Sequence, residues 1–209
     1  TMSGAASGIT YAVDAGAKVI NLSLTAPTGA QVLLDAINYA VSKGVIVTCA
    51  AGNQGAATLA YPAAYDGCVA VGATTDTDAR AGFSNYGTGL DVVAPGTNIY
   101  STVLGAKYGY LSGTSMAAPS VAGLAALLMS RGLNRAAVLS TITRTAVDLG
   151  TAGNDTTFGA GRIDAAAAVA STVAPANAIP KCATTGGWMR RNTGATVPLT
   201  CTDANGDKL

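Results

Sequence analysis

Hydrophobic residues near the start of the chain follow two alternating patterns. In 3–14 and 32–41 they recur every three or four positions, the spacing that places them on one face of a helix, and a glycine follows each segment closely enough to end it. Directly after each glycine comes a short, mostly apolar run, 18–24 or 45–50, as expected for a strand that is buried on both faces. The first part of the chain is therefore predicted to run helix, strand, helix, strand.

The same alternation continues further along the chain. Apolar runs at 68–73 and 90–93 predict two more strands, and 108–112 predicts a strand that leads into a following helix. Segments 134–146 and 164–171 each begin with a residue that is favoured at helix N-caps, and both are predicted to be helices. Strands and helices that alternate with short connections form right-handed βαβ units. We therefore expect an α/β fold, a doubly wound parallel sheet with helices on both faces.

Residues 1–171 make up this predicted domain, and the chain then changes character. Segment 172–180 contains two prolines and is predicted to be a linker, while 181–209 lacks helical periodicity. Within 181–209, a cysteine (Cys182) is followed by Val-Pro-Leu-Thr-Cys at 197–201, and this pattern is similar to the first part of bacterial Ig-like or cadherin-like repeats. The resemblance implies a short all-β fragment that is too small to bury a sandwich core, so we expect the chain to be truncated at this end.

Composition excludes several classes of partner. The formal net charge is +1 and only 11% of the 209 residues are charged, which gives no electrostatic basis for binding nucleic acid or an anionic membrane. No apolar stretch approaches the roughly 18 residues of a membrane-spanning helix. The sequence therefore predicts neither a nucleic-acid partner nor a membrane span.

Cysteine usage favours a secreted, extracellular protein. Cys182 and Cys201 are expected to form a disulfide, because both lie in the small C-terminal appendage, which needs a covalent staple. Cys49 and Cys68 lie in predicted strands, where a buried thiol and a disulfide are both possible.

Two turns at the ends of predicted strands carry candidate chemistry. In 113–119 (Gly-Thr-Ser-Met-Ala-Ala-Pro) a tight turn delivers Ser115 to the first turn of a buried helix, where free amides and the helix dipole favour developing negative charge. After the strand at 45–50, Gly52 permits a sharp turn and Asn53 presents an amide donor that can bind an oxyanion. Taken separately, Ser115 is more typical of a helix cap and Gly52-Asn53 of an ordinary turn.

Six motifs taken together resemble the C-terminal two thirds of the catalytic domain of a subtilisin-like serine peptidase, over residues 3–171. They occur in the family's order and spacing, and they are Asn21-Leu22-Ser23-Leu24, Ala50-Ala51-Gly52-Asn53, Phe83-Ser84-Asn85-Tyr86-Gly87, Ala94-Pro95-Gly96, Gly113-Thr114-Ser115-Met116-Ala117-Ala118-Pro119 and Gly159-Ala160-Gly161-Arg162-Ile163-Asp164-Ala165.

The resemblance implies roles for individual residues. Ser115 would be the acylated nucleophile and Asn53 the oxyanion-hole donor. The pocket for the substrate side chain before the scissile bond would be lined by Ser23, Leu24, Ala50, Ala51 and Gly52, with Ala60 near its base. Because Ala60 is small, an apolar or aromatic substrate side chain is favoured over a charged one.

A structural cation is also implied by the resemblance. Related proteins often bind calcium through backbone carbonyls at positions that correspond here to Ala63, Tyr65 and Cys68, with Asp91 nearby. No cofactor is needed for the chemistry itself.

The chain departs from the family in two ways. It contains no histidine, so it cannot hold a Ser-His-Asp triad, and we expect it to be inactive alone. The catalytic Asp and His would come from a missing N-terminal segment of the same domain, as in a fragment or a split enzyme. In addition, Thr25 stands where the family usually has glycine, which is expected to narrow a peptide-binding subsite.

Three functions are compared on this basis. The first is part of a serine endopeptidase with a protein or peptide substrate, and this is the one we expect. The second is a non-catalytic extracellular binding or adhesion module built on an inert peptidase fold. The third, an α/β-hydrolase esterase, requires Gly-x-Ser-x-Gly, and Ala117 occupies the final glycine position.

Overall fold

A four-stranded parallel sheet organises the domain. A computed structural model describes residues 1–172 in full and, beyond them, the backbone of two short strands. The sheet consists of β1 (Val19–Leu22), β2 (Ile46–Ala50), β3 (Cys68–Thr74) and β4 (Val92–Pro95), hydrogen-bonded in that order. Each strand begins within about two residues of a predicted apolar run. Because all four run in one direction, their carboxyl ends meet at a single edge.

Five helices cover the two faces of this sheet. Their bounds are α1 Met2–Asp14, α2 Gln31–Ser42, α3 Thr114–Ser130, α4 Arg135–Arg144 and α5 Ala165–Ala170. Helices α1 and α2 pack on each other over one face, whereas α3 lies across all four strands on the other face with α4 and α5 beside it. The predicted α/β fold with helices on both faces is confirmed.

Successive strand residues supply two separate cores. Ile46 and Ala50 pack toward α3, while Val47 and Cys49 pack toward α1 and α2, as expected when neighbouring side chains point to opposite faces. All residues of β2 and β3 are buried. This double burial explains why both strands read as continuous apolar runs.

The segment between β4 and α3 agrees with the prediction only in part. The strand expected at 108–112 is present as β6 (Lys107–Leu111) and leads into α3, but it pairs antiparallel with a second strand that was not predicted, β5 (Ile99–Val103), in a hairpin outside the parallel sheet. Both strands are largely exposed, and Tyr100 stacks on Tyr108 and contacts Tyr110. The hairpin is therefore held by backbone pairing and aromatic contacts rather than by a core.

The last two helices begin where predicted and end slightly earlier. The side chain of Asn134 accepts a hydrogen bond from the Ala137 amide, and that of Asp164 from the Ala167 amide, so both residues act as caps. Helix α4 ends at Arg144 because Val147 leaves the helical path to pair with Arg162.

A disulfide joins Cys49 to Cys68, which links the neighbouring strands β2 and β3. Of the two alternatives left open by the sequence, pairing is therefore the one found in the structure. None of the described helices combines the length and apolarity needed to cross a membrane.

The chain divides into two compact units, Thr1–Ala170 and Ser171–Leu209. In the second unit, β7 (Lys181–Thr184) and β8 (Leu199–Thr202) pair antiparallel, with Cys182 directly opposite Cys201 in register. The predicted Cys182–Cys201 disulfide, all but the first residue of the predicted linker at 172–180, and the remainder of the Ig-like segment lie outside the described residues.

Candidate active site

The start of helix α3 carries Ser115 at the carboxyl edge of the sheet. Ser115 is the second residue of the helix and is half-buried, while Thr114 before it is fully buried. Amides in the first turn of a helix lack the usual acceptor four residues earlier. Here the Thr114 amide donates to Asn53 Oδ1 and the Met116 amide to the Gly113 carbonyl, and the Ser115 amide lies between them at the helix end. The environment of Ser115 is therefore one that stabilises negative charge.

Pro119 explains how the start of helix α3 is attached to the residue just beyond β1. In a regular helix the amide of residue 119 would donate to the Ser115 carbonyl, but proline has no N–H. The hydroxyl of Ser23 donates to that carbonyl instead, at 2.8 Å, and Ser115 Oγ lies 3.4 Å from the Ser23 carbonyl oxygen, to which it donates. Ser23, just beyond β1, and Ser115 are thus held by two reciprocal hydrogen bonds.

The side chain of Asn53 is held by Thr114. Asn53 Oδ1 accepts from both the amide and the hydroxyl of Thr114, at 2.9 Å each, and the Thr114 hydroxyl in turn accepts from the Gly52 amide at 3.2 Å. With its oxygen fixed by two donors, the Asn53 side chain presents Nδ2 as a free donor; none of the hydrogen bonds among residues 1–172 uses it.

Two N–H donors flank one point beside Gly113. A Cβ placed on Gly113 would lie 3.4 Å from Asn53 Nδ2, 3.6 Å from the Ser115 amide nitrogen and 3.7 Å from Met116 Sδ, so both nitrogens border the same small space. Because glycine leaves this space open, a single oxygen atom can approach both donors. The arrangement is suited to binding a localised negative charge next to Ser115 Oγ.

A cavity of about 430 Å³ opens beside this loop. Ala60, one of the residues expected to line the substrate pocket, borders this cavity. Thr25, which was expected to narrow a peptide-binding subsite, borders it as well. Ala50 and Ala51 are fully buried in the two cores, Gly52 is buried and Leu24 is half-buried, so they support the edge of the sheet rather than this cavity. The remaining lining residues are Ala26, Pro27, Gln54, Ala56, Thr58, Leu59 and Asn85.

The four residues expected to hold a cation also lie together. Ala63, Tyr65, Cys68 and Asp91 all line a second cavity, of about 560 Å³. Asp91 Oδ2 accepts from the Ala70 amide at 2.7 Å. Burial raises the pKa of the Asp91 carboxyl above its ordinary value, although the Ala70 hydrogen bond and the charge of Arg135 act in the opposite direction.

Sequence reasoning assigned no role to Thr114 or Gln54. Thr114 stands beside Ser115 in the same motif, but its contact with Asn53 joins residues 61 positions apart and follows from no local pattern. Gln54 lies in the turn after Asn53 and borders the 430 Å³ cavity, where its side chain accepts from the Asn53 amide at 3.1 Å.

A profile of the Subtilase family, the S8 peptidases, matches residues 1–161. The chain belongs to the subtilase family. Members are serine proteases, so the hydrolase class expected from the sequence is confirmed at this level, and so is the subtilisin-like fold.

Individual subtilases show how far the similarity extends. The chain is 50% identical over 169 residues to the Thermophilic serine proteinase of Bacillus sp. (strain AK1), covering 81% of this chain and 42% of that protein. It is 46% identical over 169 residues to Thermitase of Thermoactinomyces vulgaris, covering 81% of this chain and 60% of that protein. The chain thus spans about half the length of the curated relatives that it matches.

Solved subtilase structures share the fold. The Prenylagaramide maturation protease PagA superposes with a TM-score of 0.74 at 28% identity, over 83% of this chain and 68% of that one. A lanthipeptide protease gives a TM-score of 0.78 at 25% identity, over 83% of this chain and 67% of that one.

Proposed function

We propose that the chain supplies the nucleophile, oxyanion hole and substrate pocket of a subtilase-type serine endopeptidase. The observation that supports this most directly is the convergence of Asn53 Nδ2 and the Ser115 amide on the open space at Gly113. Ser115 Oγ would attack the peptide carbonyl, and these two donors would stabilise the oxygen as it becomes negative.

The reaction also needs a base. As the bond from Ser115 Oγ to the carbonyl carbon forms and the amide C–N bond breaks, the hydroxyl proton must pass to the departing amine. This chain contains no histidine. We therefore propose that a segment outside this chain provides the histidine and its aspartate, and that the chain alone does not turn over peptide bonds.

The substrate class follows from the edge of the sheet. An extended peptide can pair alongside the residues after β1, with the side chain before the scissile bond directed toward the cavity that Ala60 and Thr25 border. No charged residue lines this cavity. The pocket therefore favours an apolar or aromatic side chain. The disulfide between Cys49 and Cys68 supports an oxidising, extracellular setting.

The test is a chimera in which the full chain follows the segment of Thermitase that, by the family resemblance, carries Asp and His. A fluorophosphonate probe is applied to the chimera and to the chain alone, and the labelled residue is located by mass spectrometry. We expect label on Ser115 in the chimera only. Ser115→Ala should abolish the label, and Asn53→Ala should slow peptide hydrolysis by about a hundredfold or more.

A chimera that folds but has no activity would contradict the proposal. If the chimera has the circular dichroism and cooperative unfolding of a folded domain but neither labels nor hydrolyses a peptide, the endopeptidase assignment is wrong. The inert binding module would then be the better account of the fold.

We also propose that the cavity at Asp91 binds calcium, because a carboxylate lines it together with Ala63, Tyr65 and Cys68, the residues whose backbone carbonyls the family resemblance implies as ligands. Carboxylate and carbonyl oxygens are the hard ligands that calcium prefers. Millimolar calcium should raise the Tm of the chain, measured by differential scanning calorimetry. The variant Asp91→Asn should lose this response, and the surface variant Asp66→Asn, at the rim of the same cavity, should keep most of it. An equal response in all three proteins would place the ion elsewhere.

A further inference from the structure

Residues 52–56, here named the oxyanion loop, are attached along their length to segment 83–86. The Asn85 amide donates to the Gly52 carbonyl at 2.9 Å, the Gly55 amide to the Phe83 carbonyl at 2.6 Å, and the Tyr86 amide to the Ala56 carbonyl at 3.0 Å. These backbone bonds fix the position of the loop relative to segment 83–86, but none of them involves Asn53.

The side chain of Asn85 supplies the bonds in the middle of the loop. Its Oδ1 accepts from the amides of Gln54, at 2.9 Å, and Ala56, at 3.1 Å. Its Nδ2 donates to Gln54 Oε1 at 3.1 Å. The residue is only 3% exposed, so water cannot replace these partners without opening the structure.

The side chain of Gln54 links Asn85 to Asn53. The same Oε1 that accepts from Asn85 also accepts from the backbone amide of Asn53, at 3.1 Å. The backbone of Asn53 is thus fixed through Gln54 by Asn85, while its side-chain oxygen is fixed by Thr114. Both attachments are needed to direct Nδ2 toward the space at Gly113.

We propose that Asn85 is a positioning residue for the oxyanion hole, acting through Gln54 on Asn53. This inference rests on the proposed endopeptidase function and deepens it. Asn85 borders the 430 Å³ cavity but is only 3% exposed, so its contribution is to the geometry of Asn53 rather than to direct substrate contact.

The first experiment requires no catalytic activity. In the full chain, ¹H–¹⁵N spectra report the Asn53 side-chain amide, and hydrogen exchange reports the amides of Gln54 and Ala56. With Asn85→Ala we expect the Asn53 amide pair to move toward the position of a free asparagine. The two backbone amides should exchange at least about tenfold faster, because they lose their acceptor.

Two further variants control this experiment. Asn134→Ala removes a helix cap on α4 and should leave the Asn53 signals unchanged. Gln54→Ala removes the acceptor shared by the Asn53 amide and Asn85 Nδ2 but leaves the bonds from Asn85 Oδ1 to the loop amides in place. Since Gln54 is exposed, this variant keeps the test available if Asn85→Ala does not fold. An Asn53 side-chain signal that stays in place in the folded Asn85 and Gln54 variants would overturn the proposal.

The second experiment is a double-mutant cycle in the active chimera. Asn85→Ala should lower kcat about tenfold with KM nearly unchanged, whereas in an Asn53→Ala background the same change should lower kcat less than about twofold. A purely structural role, or a direct role in substrate specificity, would instead give the same factor in both backgrounds and would contradict the proposal.

The two experiments separate the possible failures. A folded but inactive chimera refutes the proposed function. The spectra of the chain without the fused segment, compared with those of its Asn85 and Gln54 variants, then decide whether Asn85 positions Asn53. An active chimera with additive effects leaves the endopeptidase standing and refutes the positioning role.

Discussion

At Gly52 the backbone adopts a φ of +116°, a conformation that residues with a side chain rarely adopt. A Cβ at this position would collide with the side-chain amide of Asn85. The collision is with a buried side chain that is itself fixed by three hydrogen bonds, so it cannot move away cheaply. The shape of the oxyanion loop therefore depends on the absence of a side chain at this one position.

We expect Gly52→Ala to destabilise the fold by about 2 kcal/mol, because it combines backbone strain with overpacking. The matched control is Gly123→Ala in α3, where a Cβ meets nothing within 4 Å; it should be neutral or stabilise by up to about 1 kcal/mol. Urea unfolding measures both, and equal effects would show that the oxyanion loop is not constrained at Gly52.

Asp155 makes the stability depend on pH. Burial raises the pKa of its carboxyl, but the amides of Phe158, Thr157 and Thr151 donate to it and outweigh burial, so the pKa lies below its ordinary value of 3.8. A lowered folded-state pKa contributes stability above the unfolded pKa, and that contribution is lost as the pH falls through the folded pKa.

The Tm difference between wild type and Asp155→Asn should therefore be large at pH 7 and should shrink as the pH drops below 3.8. Thermal melts at a series of pH values measure this difference. A gap that stays constant with pH would mean that the charge of Asp155 plays no part.

Among the helices, α4 offers the clearest test of capping. Its N-cap Asn134 accepts a side-chain hydrogen bond from the Ala137 amide, at 2.9 Å. Asn134→Ala should cost about 1 kcal/mol, and Asn134→Asp should cost much less because its carboxylate accepts the same bond. Equal losses in the two variants, by urea unfolding, would exclude capping as the cause.

The elements that pack against the core could be predicted from the sequence, whereas the hairpin could be predicted only in part. Strands β2 and β3 are buried on both faces, so their sequences are continuous apolar runs. Strand β6 was predicted, but its partner β5 was not, because both strands are largely exposed and β5 has no apolar run. Their pairing depends on a partner several residues away rather than on local composition.

The candidate site divides in the same way. Ser115 lies at a helix start and Asn53 just after a strand, positions that a parallel sheet brings to one edge, so their proximity could be predicted from the sequence while their roles stay predictions. Thr114 and Asn85 make side-chain hydrogen bonds to distant residues, and this geometry depends on packing. The pairing of Cys49 with Cys68 likewise required the register that sets Val47 beside Cys68.

For the whole domain, the Cys49–Cys68 disulfide is the main covalent constraint among the described residues. The two cysteines are separated by 19 residues, and closing a loop of this length should contribute about 3 kcal/mol through the entropy of the unfolded chain. Replacing both cysteines with alanine should therefore lower the free energy of unfolding by about that amount.

Urea unfolding with and without reductant measures this contribution. Wild type should be destabilised by reductant once the buried disulfide is accessible, and the double alanine variant should not respond. A response that persists in the variant would come from Cys182 and Cys201, and would test their predicted pairing directly.

The contacts that assemble the site join distant parts of the chain. Ser23 and Ser115 are 92 residues apart, and Asn53 and Thr114 are 61 apart, so their hydrogen bonds can form only after α3 has docked on β1 and β2. Closing such long loops is entropically costly and is repaid only late in folding. In a partly folded chain, Ser115, Ser23 and Asn53 are therefore not yet held together, and the candidate site is complete only when the domain is.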